Sequence, residues 1–216
     1  MAFDCVFFDL DGTLTDSAPG ITNAVAYALE KCGITPPARE ELYCFIGPPL
    51  LESFMKYYGM DEAQARQAVA FYREYYPVKG LYENSVYEGL EELLDRLGKA
   101  GVTICLATAK PEEFSVKILR HFGLALKFDF MTGATFDGSL MDKGHIIRFA
   151  MSKLPEKAGR RILMVGDRHH DIHGANKNGL PCAAVMWGFG SREEFESCGA
   201  EYIVNTVQEL ENIIMA

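Results

Sequence analysis

Short runs of apolar residues, each bounded by turn-forming residues, recur along the chain. The strongest runs cover Cys5–Leu10, Val102–Ala107, Ile162–Val165 and Ala183–Met186, and weaker ones cover Phe128–Met131 and Tyr202–Val204. Continuous apolar runs of this length are typical of strands that are buried on both faces of a sheet. We therefore predict six buried strands.

Segments of helical length separate these runs. They cover Glu88–Ala100, Glu112–Phe122, Lys143–Lys153, Asp171–Asn178, Arg192–Cys198 and Val207–Ile214. Strands that alternate with helices favour right-handed crossovers and a parallel sheet covered by helices on both sides. The pattern predicts an α/β fold with a Rossmann-like parallel sheet as its core.

One region interrupts the alternation. Between Ser17 and Asn84 no convincing strand pattern occurs, and four helical stretches are separated by Gly and Pro: Ile21–Cys32, Arg39–Phe45, Leu50–Tyr58 and Glu62–Tyr76. An all-helical insert after the first strand is typical of a cap over the site that this strand presents. We expect a catalytic core from residues 1–16 and 85–216 and a small helical cap domain at 17–84.

Composition and charge narrow the possible partners. The chain has 216 residues, 49% of them apolar, and a formal net charge of -9. This balance argues against a protein that binds the phosphate backbone of nucleic acid, because such proteins carry clustered basic residues. No stretch approaches eighteen uninterrupted apolar residues, so we expect no membrane partner.

The six cysteines and the N-terminal sequence indicate the cellular compartment in which the protein is expected. The cysteines form no C-x-x-C pair, and Cys5, Cys105 and Cys182 lie within apolar runs, so we expect them to be reduced and mostly buried. The first residues lack the basic segment and the long apolar stretch of a signal peptide. We expect a cytoplasmic protein that is a monomer or a weak dimer.

Polar residues follow three of the strongest predicted strands. Asp9 and Asp11 come at the end of the first run, Thr108 follows Val102–Ala107, and Asp167 follows Ile162–Val165 with one glycine between. Ligands of open parallel sheets bind outside the carboxyl ends of the strands, so these side chains should converge on one site.

The residue types suit phosphoryl transfer. Asp9 and Asp11 are separated by one residue before the turn at Gly12, so one carboxylate can attack while the other moves a proton. A divalent cation would reduce the repulsion between a carboxylate and a phosphoryl group, and Asp167 adds an oxygen ligand for it. Thr108 and Lys143 offer a hydroxyl and an ammonium to the phosphoryl oxygens.

These residues resemble the four motifs of the haloacid-dehalogenase superfamily. The motif-like segments are Asp9-x-Asp11-Gly12-Thr13-Leu14-Thr15-Asp16-Ser17, then Thr108, Lys143, and Gly166-Asp167-x-x-x-Asp171, in that order. The resemblance extends over nearly the whole chain. The insert is similar to the helical cap between the first two motifs in the phosphoglycolate-phosphatase-like branch.

The resemblance implies roles for the acidic residues. Asp9 would form an aspartyl-phosphate, and Asp11 would protonate the leaving alcohol and then activate water. Mg²⁺ would be held by the Asp9 carboxylate, the Asp11 backbone carbonyl and Asp167. Asp171 would stabilise these ligands without binding the ion directly. Dehalogenases of the superfamily lack the second aspartate, so Asp11 favours a phosphatase.

The resemblance also implies how the substrate binds. Thr108, Lys143 and Gly12 would bind the phosphoryl group of a small phosphorylated metabolite. The segments Phe45–Leu50 and Gly166–Ile172 are similar to a group described as 5′-nucleotidases or phosphoglycolate phosphatases. The substrate is expected to come from one of these classes.

Three cap residues are candidates for substrate specificity. They are Gly47, in a Gly-Pro-Pro loop, and the two basic residues Arg73 and Lys79. Each is also compatible with a simple structural interpretation, since a glycine before two prolines interrupts a helix and basic side chains on helices are usually solvated.

Several alternatives are weaker. A calcium loop beginning at Asp9 would need glycine at Leu14 and an acid at Gly20. His169, His170 and His173 suggest a transition-metal site, but such spacing often occurs on a solvated helix. The Gly188-Phe189-Gly190 segment lacks the third glycine of a dinucleotide loop, so we predict a turn that closes one wall of the site.

Two other functions remain possible from the sequence. A phosphosugar mutase of the β-phosphoglucomutase type would pass the phosphoryl group to a second hydroxyl, but Asp142-Lys143-Gly144 and Gly166-Asp167-Arg168 differ from the Lys-Pro and Glu-Asp pairs usual there. A non-catalytic binding protein with the same fold is the other alternative.

Overall fold

The computed structural model describes residues 2–154 and 161–216. Within this part of the chain the strands are β1 (Cys5–Phe8), β2 (Thr15–Asp16), β3 (Ser85–Val86), β4 (Thr103–Pro111), β5 (Phe130–Ala134), β6 (Ile162–Gly166), β7 (Cys182–Val185) and β8 (Tyr202–Val204). The α-helices are α1 (Ala18–Lys31), α2 (Leu50–Tyr58), α3 (Glu62–Tyr75), α4 (Leu90–Lys99), α5 (Glu112–His121), α6 (Lys143–Ser152), α7 (His169–Asn176), α8 (Arg192–Ser197) and α9 (Val207–Met215).

Six strands form one parallel sheet. Their order is β5-β4-β1-β6-β7-β8, and every neighbouring pair is parallel. β1 therefore lies between β4 and β6, where strands added later in the chain extend the sheet in opposite directions. This is a topological switch point, the place where open parallel sheets bind ligands.

The register of the three central strands explains how the site is assembled. Phe8 at the end of β1 pairs with Leu106 of β4 and with Val165 of β6. β1 and β6 end within one residue of these positions, whereas β4 continues to Pro111 with Thr108 still paired to Gly133 of β5. Asp9, Thr108 and Asp167 therefore lie at the same edge of the sheet, because equal register along parallel strands aligns these positions.

The prediction of an α/β fold with a parallel sheet is confirmed, and all six predicted strands are present. The sheet is buried as expected, with Cys5–Phe8 fully covered. The main differences are that β4 continues through Thr108 to Pro111 and that β5 is shifted to Phe130–Ala134. The two-residue strands β2 and β3, which pair with each other, were not predicted.

The chain divides into two compact units, one of Met1–Thr15 with Val86–Ala216 and one of Asp16–Ser85. The second unit contains α1, α2 and α3. The predicted helix at Arg39–Phe45 is a 3₁₀ helix. The predicted helix Glu62–Tyr76 is α-helical to Tyr75 and continues as a π-helical turn over Tyr76–Gly80.

Two glycines explain the close packing of that turn against α1. A Cβ added to Gly20 would lie 2.0 Å from the carbonyl oxygen of Gly80, and a Cβ on Gly80 would lie 2.9 Å from the carbonyl oxygen of Gly20. Only residues without a side chain let two backbone segments approach this closely.

All six cysteines of the chain are free thiols, and Cys5, Cys105 and Cys182 are buried. Among the described residues, no helix has the length and apolar character needed to cross a membrane.

Candidate active site

A tight turn after β1 carries Asp9 and Asp11. The Asp9 backbone N–H donates to the carbonyl of Val165 on β6 at 2.9 Å, and that of Gly12 donates to the carbonyl of Thr15 at 2.8 Å. Gly12 has a φ of +79°. A glycine adopts this left-handed conformation without steric cost, so it lets the chain reverse directly after Asp11.

Lys143, the first residue of α6, lies between two carboxylates. The side chain of Asp142 caps this helix by accepting from the backbone N–H of His145. The Lys143 Nζ lies 2.9 Å from Asp9 Oδ1 and 2.8 Å from Asp171 Oδ1, and it donates to the carbonyl oxygen of Ala107 at 2.9 Å. The predicted phosphate-binding lysine therefore contacts the predicted nucleophile in this structure.

The charges of Lys143 and of the two carboxylates beside it depend on each other. Burial works against the charged form of Lys143, but the carboxylates of Asp171 and Asp9 outweigh it and raise the pKa of the ammonium. Burial also raises the pKa of Asp171, to which Asp9 contributes, while Lys143 opposes the rise. The negative charges of Asp9 and Asp171 therefore stabilise the charged form of Lys143.

Asp167 is fully buried and held by two donors. Thr13 Oγ1 donates to its Oδ1 at 3.2 Å, and the backbone N–H of Phe189 donates to its Oδ2 at 2.8 Å. Burial and the nearby carboxylates of Asp171 and Asp9 raise the pKa of Asp167 well above its usual range. Bringing three carboxylates together in a largely buried site disfavours their charged forms unless a cation compensates.

The acidic cluster fits a hard divalent cation. Asp9, Asp167 and Asp171 each offer one carboxylate oxygen, and these three atoms lie within 4.8 Å of one another. Oxygen ligands of this kind are those that Mg²⁺ takes in proteins. Burial, with a contribution from the neighbouring carboxylates, raises the pKa values of Asp167 and Asp171, and a bound cation would oppose both effects.

Thr108 is buried beside a break in the register of β4. Thr108 pairs with Gly133 on β5, and the next pair along the ladder is Pro111 with Ala134. Ala109 and Lys110 thus have no position opposite them on β5. The backbone N–H of Lys110 donates to Thr108 Oγ1 at 3.2 Å, which closes a small turn around the threonine.

Lys110 was not predicted as a site residue. Its Nζ donates to both oxygens of Asp11, at 2.9 Å from Oδ1 and 2.7 Å from Oδ2. The lysine side chain is 6% exposed, so this ion pair is largely removed from solvent. The sequence offered one clue, since Lys110 lies two residues after the predicted phosphate-binding residue Thr108 and immediately before a proline.

The loop after β7 closes one side of the site, as predicted for the Gly188-Phe189-Gly190 turn. The indole N–H of Trp187 donates to the carbonyl oxygen of Thr13 at 3.0 Å, and Phe189 donates its backbone N–H to Asp167. A Cβ added to Gly188 would lie 2.3 Å from the Gly12 carbonyl oxygen. The glycine therefore permits close contact between this loop and the turn after Asp11.

The three histidines near Asp167 do not form a metal site with one another. Within residues 2–154 and 161–216, the acidic cluster of Asp9, Asp167 and Asp171 is the one group of three candidate ligands that could share an ion. The rings of His169 and His170 contact each other at a centroid distance of 3.9 Å. Burial is the main cause that lowers the pKa of His170 to about 4, so this ring is neutral near pH 7.

The three cap candidates belong to the second unit. Gly47 has a φ of +102° and lies between the 3₁₀ helix and α2, while Arg73 is an exposed residue in the last turn of α3. Lys79 is exposed in the π-helical turn, with its Nζ 5.5 Å from the ring centroid of Tyr75. Their proposed contribution to specificity stays a prediction.

Replacing Gly12 by alanine should destabilise the site for two separate reasons. The positive φ costs a residue with a side chain about 1–2 kcal/mol. The new Cβ would also lie 2.1 Å from Asp167 Oδ2 and 2.7 Å from the Phe189 ring, so the metal-ligand candidate must move. Overpacking of this kind adds about 1–3 kcal/mol. We expect a lower midpoint of urea unfolding, measured by circular dichroism.

Gly101→Ala is the matched control. Gly101 has the same φ of +79°, but no atom lies within 4 Å of its added Cβ. It should show the conformational cost alone. An equal loss of stability in the two variants would contradict the expected clash between Gly12 and Asp167.

The fold and the site together define a class of protein: a parallel α/β domain with an acidic cluster and a lysine at the end of its central strand. The family model described as haloacid dehalogenase-like hydrolase matches residues 6–185. The chain belongs to this family, which confirms the family resemblance of the sequence.

Individual relatives extend the comparison. A 5′-nucleotidase of Pseudomonas aeruginosa is 46% identical over 192 residues, which cover 89% of this chain and 86% of the relative. The tyrosine-protein kinase PtkA of Mycobacterium tuberculosis is 37% identical, with 95% of this chain and 70% of the relative covered. The crystal structure of a predicted phosphatase from Clostridium acetobutylicum is 48% identical with a TM-score of 0.93, and 100% of this chain and 99% of that chain are covered.

Proposed function

We propose that this protein is a Mg²⁺-dependent phosphatase that hydrolyses a small phosphomonoester through an aspartyl-phosphate on Asp9. The observation that carries the proposal is the position of the Lys143 ammonium, 2.9 Å from Asp9 in a cluster of three carboxylates at the end of β1. A nucleophile, an oxygen-ligand set for a divalent cation and a cation for the phosphoryl group are thus combined in one site.

In the first half-reaction, a carboxylate oxygen of Asp9 attacks phosphorus and the bond to the leaving oxygen breaks. Asp11 donates a proton to that oxygen, so the leaving group departs as a neutral alcohol. Lys143 and Thr108 bind the phosphoryl oxygens. Since Lys143 already contacts Asp9, its ammonium lies near the place where charge develops during the transfer.

In the second half-reaction, water attacks the phosphorus of the aspartyl-phosphate. Asp11, now deprotonated, accepts a proton from this water, and the bond between phosphorus and the Asp9 oxygen breaks. Inorganic phosphate leaves and the Asp9 carboxylate is restored. One residue thus serves as acid and then as base, which leaves its protonation state unchanged after a full cycle.

The residues that would hold Mg²⁺ are the carboxylates of Asp9 and Asp167 and the backbone carbonyl of Asp11. Asp171 would support this set, since its Oδ1 contacts Lys143 and its Oδ2 accepts from the backbone N–H of Arg168 at 3.1 Å. A bound Mg²⁺ reduces the repulsion between the nucleophile and the phosphoryl oxygens.

The substrate proposal is a 5′-nucleotide or phosphoglycolate. The 46% identity to a 5′-nucleotidase over most of both chains supports the first class. The relative named as a tyrosine-protein kinase indicates that similar chains are associated with transfer to acceptors other than water, so the acceptor has to be measured. The expected cytoplasmic location and the monomeric or weakly dimeric state stay predictions.

The proposal is tested by phosphate release from a panel of esters that includes p-nitrophenyl phosphate, 5′-nucleotides, phosphoglycolate and sugar phosphates. Excess EDTA should lower the rate by at least about 100-fold, and added Mg²⁺ should restore it, because charge neutralisation by the ion contributes several kcal/mol to the transition state. Conversion of a sugar phosphate to its isomer without phosphate release would favour the mutase instead. Absence of turnover on the whole panel with Mg²⁺ would support a non-catalytic protein.

A further inference from the structure

The carboxylate of Asp11 depends on one side chain for its position. Both of its oxygens accept from the Lys110 ammonium, at 2.9 and 2.7 Å. Among the residues that the structure describes, no other side chain contacts this carboxylate through a hydrogen bond or an ion pair. Asp9 differs, because it lies against Lys143 within the acidic cluster.

The backbone of β4 places Lys110 at this position. Between the pairs Thr108–Gly133 and Pro111–Ala134, β4 contains two residues that have no counterpart on β5. Extra residues in one strand redirect side chains, and such irregularities often occur beside active sites. In a regular strand the pairing between β4 and β5 would continue directly past Thr108. Lys110 would then be part of the ladder and not of the turn that Thr108 Oγ1 closes.

The Lys110–Asp11 pair is also well shielded. The side chains are 6% and 15% exposed, respectively. Ion pairs on the surface contribute little, because solvent screens them and their side chains stay mobile. A shielded ammonium that contacts both oxygens instead restricts the rotation of the carboxylate.

We propose that Lys110 is a positioning residue that holds the Asp11 carboxylate in the orientation needed for proton transfer to the leaving group. The inference rests on the proposed phosphatase function and on the role of Asp11 in it. In this proposal Lys110 does not contact the phosphoryl group, whereas Lys143 does.

Two esters with different leaving groups test this role. p-Nitrophenolate departs readily without a proton, whereas the alkoxide leaving group of benzyl phosphate has to be protonated to depart as benzyl alcohol. The ratio kcat/KM covers steps up to departure of the leaving group. We expect Lys110→Met to lower kcat/KM about 10- to 100-fold for benzyl phosphate, part of the usual contribution of general acid catalysis, and less than about 3-fold for p-nitrophenyl phosphate.

A double-mutant cycle with Asp11→Asn separates positioning from direct action. If Lys110 acts through Asp11, adding Lys110→Met to the Asp11→Asn variant should cause no further loss. Lys117→Met is the matched control, because Lys117 forms an exposed ion pair with Glu113 on the helix that follows β4. This control should leave both esters unaffected.

Three outcomes would overturn the inference: no loss for either ester, equal losses for the two esters, or an additional loss in the Asp11→Asn background. Circular dichroism and thermal unfolding check that each variant is folded, and Lys110→Gln replaces Lys110→Met if the latter is not. The wild-type enzyme is assayed beside the variants. Wild-type turnover with no effect of Lys110 contradicts this inference alone, whereas absence of wild-type turnover contradicts the proposed function as well.

Discussion

Replacing Asp9 by asparagine should lower kcat for phosphate release by at least about 10⁴-fold, as expected when a covalent nucleophile is removed. The amide has nearly the same shape but lacks the negatively charged oxygen that attacks phosphorus. Lys143 keeps its contact with Asp171 at 2.8 Å, so the lysine remains paired in the variant. The measurement is phosphate release at saturating Mg²⁺ from the best ester of the panel.

The same substitution should not destabilise the protein. Burial is the main cause of the raised pKa values of Asp167 and Asp171, and the charge of Asp9 adds to it, because the neighbouring carboxylates repel one another. Removing one charge relieves this repulsion, so Tm in the absence of metal should be unchanged or higher. An inactive variant with a lowered Tm would indicate unfolding as the cause of the loss.

Asp4→Asn is the control for Asp9. Asp4 precedes β1 at the opposite end of the strand and forms a solvent-exposed ion pair with Arg161 at 3.4 Å. Exposed pairs of this kind contribute little, so activity should stay within about 2-fold of wild type. Residual Asp9→Asn activity within 10-fold of wild type would contradict the role of Asp9 as nucleophile.

The sheet and the position of Asp9, Thr108 and Asp167 at one edge of it could be predicted from the sequence for a physical reason. Strands covered on both faces leave continuous apolar runs, and a parallel sheet aligns the ends of such runs at one edge. The predicted family is confirmed by the match over residues 6–185. The pattern of apolar runs therefore predicts where the strands end and which residues follow those ends.

Contacts that depend on local backbone geometry could not be predicted in the same way. Lys110 reaches Asp11 because two residues of β4 lack partners on β5, and no periodicity of side chains reveals such an irregularity. The hydrogen bond from Phe189 to Asp167 uses a backbone N–H, which every residue except proline carries. The π-helical turn at Tyr76–Gly80 likewise lies where Gly80 packs closely against Gly20, a contact that no side-chain periodicity reveals.

Lys143→Met should lower both activity and stability. Loss of a cation that binds the phosphoryl oxygens is expected to reduce kcat/KM by about 10²- to 10³-fold. The substitution also leaves Asp9 and Asp171 without the ammonium that now lies 2.9 and 2.8 Å from their oxygens. Removing one partner of a buried ion pair typically costs about 3–5 kcal/mol. Urea unfolding without metal at pH 7 measures this cost.

Lys177→Met provides the comparison for an exposed lysine. Lys177 pairs with Asp142 at 3.1 Å, and both side chains are exposed. Its loss should change the free energy of unfolding by no more than about 0.5 kcal/mol. A similar stability of the two variants would show that the charge of Lys143 does not compensate the acidic cluster.

The stability defect of Lys143→Met should depend on pH and on metal. The pKa of Asp171 in the folded protein is raised to about 6, mainly by burial, with Lys143 opposing the rise. A carboxyl group whose pKa is higher in the folded than in the unfolded state binds more protons when folded, so it stabilises the fold as the pH decreases. Without Lys143 this pKa should rise further, and the variant should gain more stability than wild type between pH 7 and pH 5.

The difference in unfolding free energy between wild type and Lys143→Met should therefore be smaller at pH 5 than at pH 7. Mg²⁺ at pH 7 should reduce it as well, because a divalent cation supplies positive charge to the same carboxylates. If the difference is constant with pH and insensitive to Mg²⁺, the defect comes from lost packing of the lysine stem. If it decreases under both conditions, the carboxylates of Asp9, Asp167 and Asp171 behave as one charge cluster, which is the property that metal binding in this site requires.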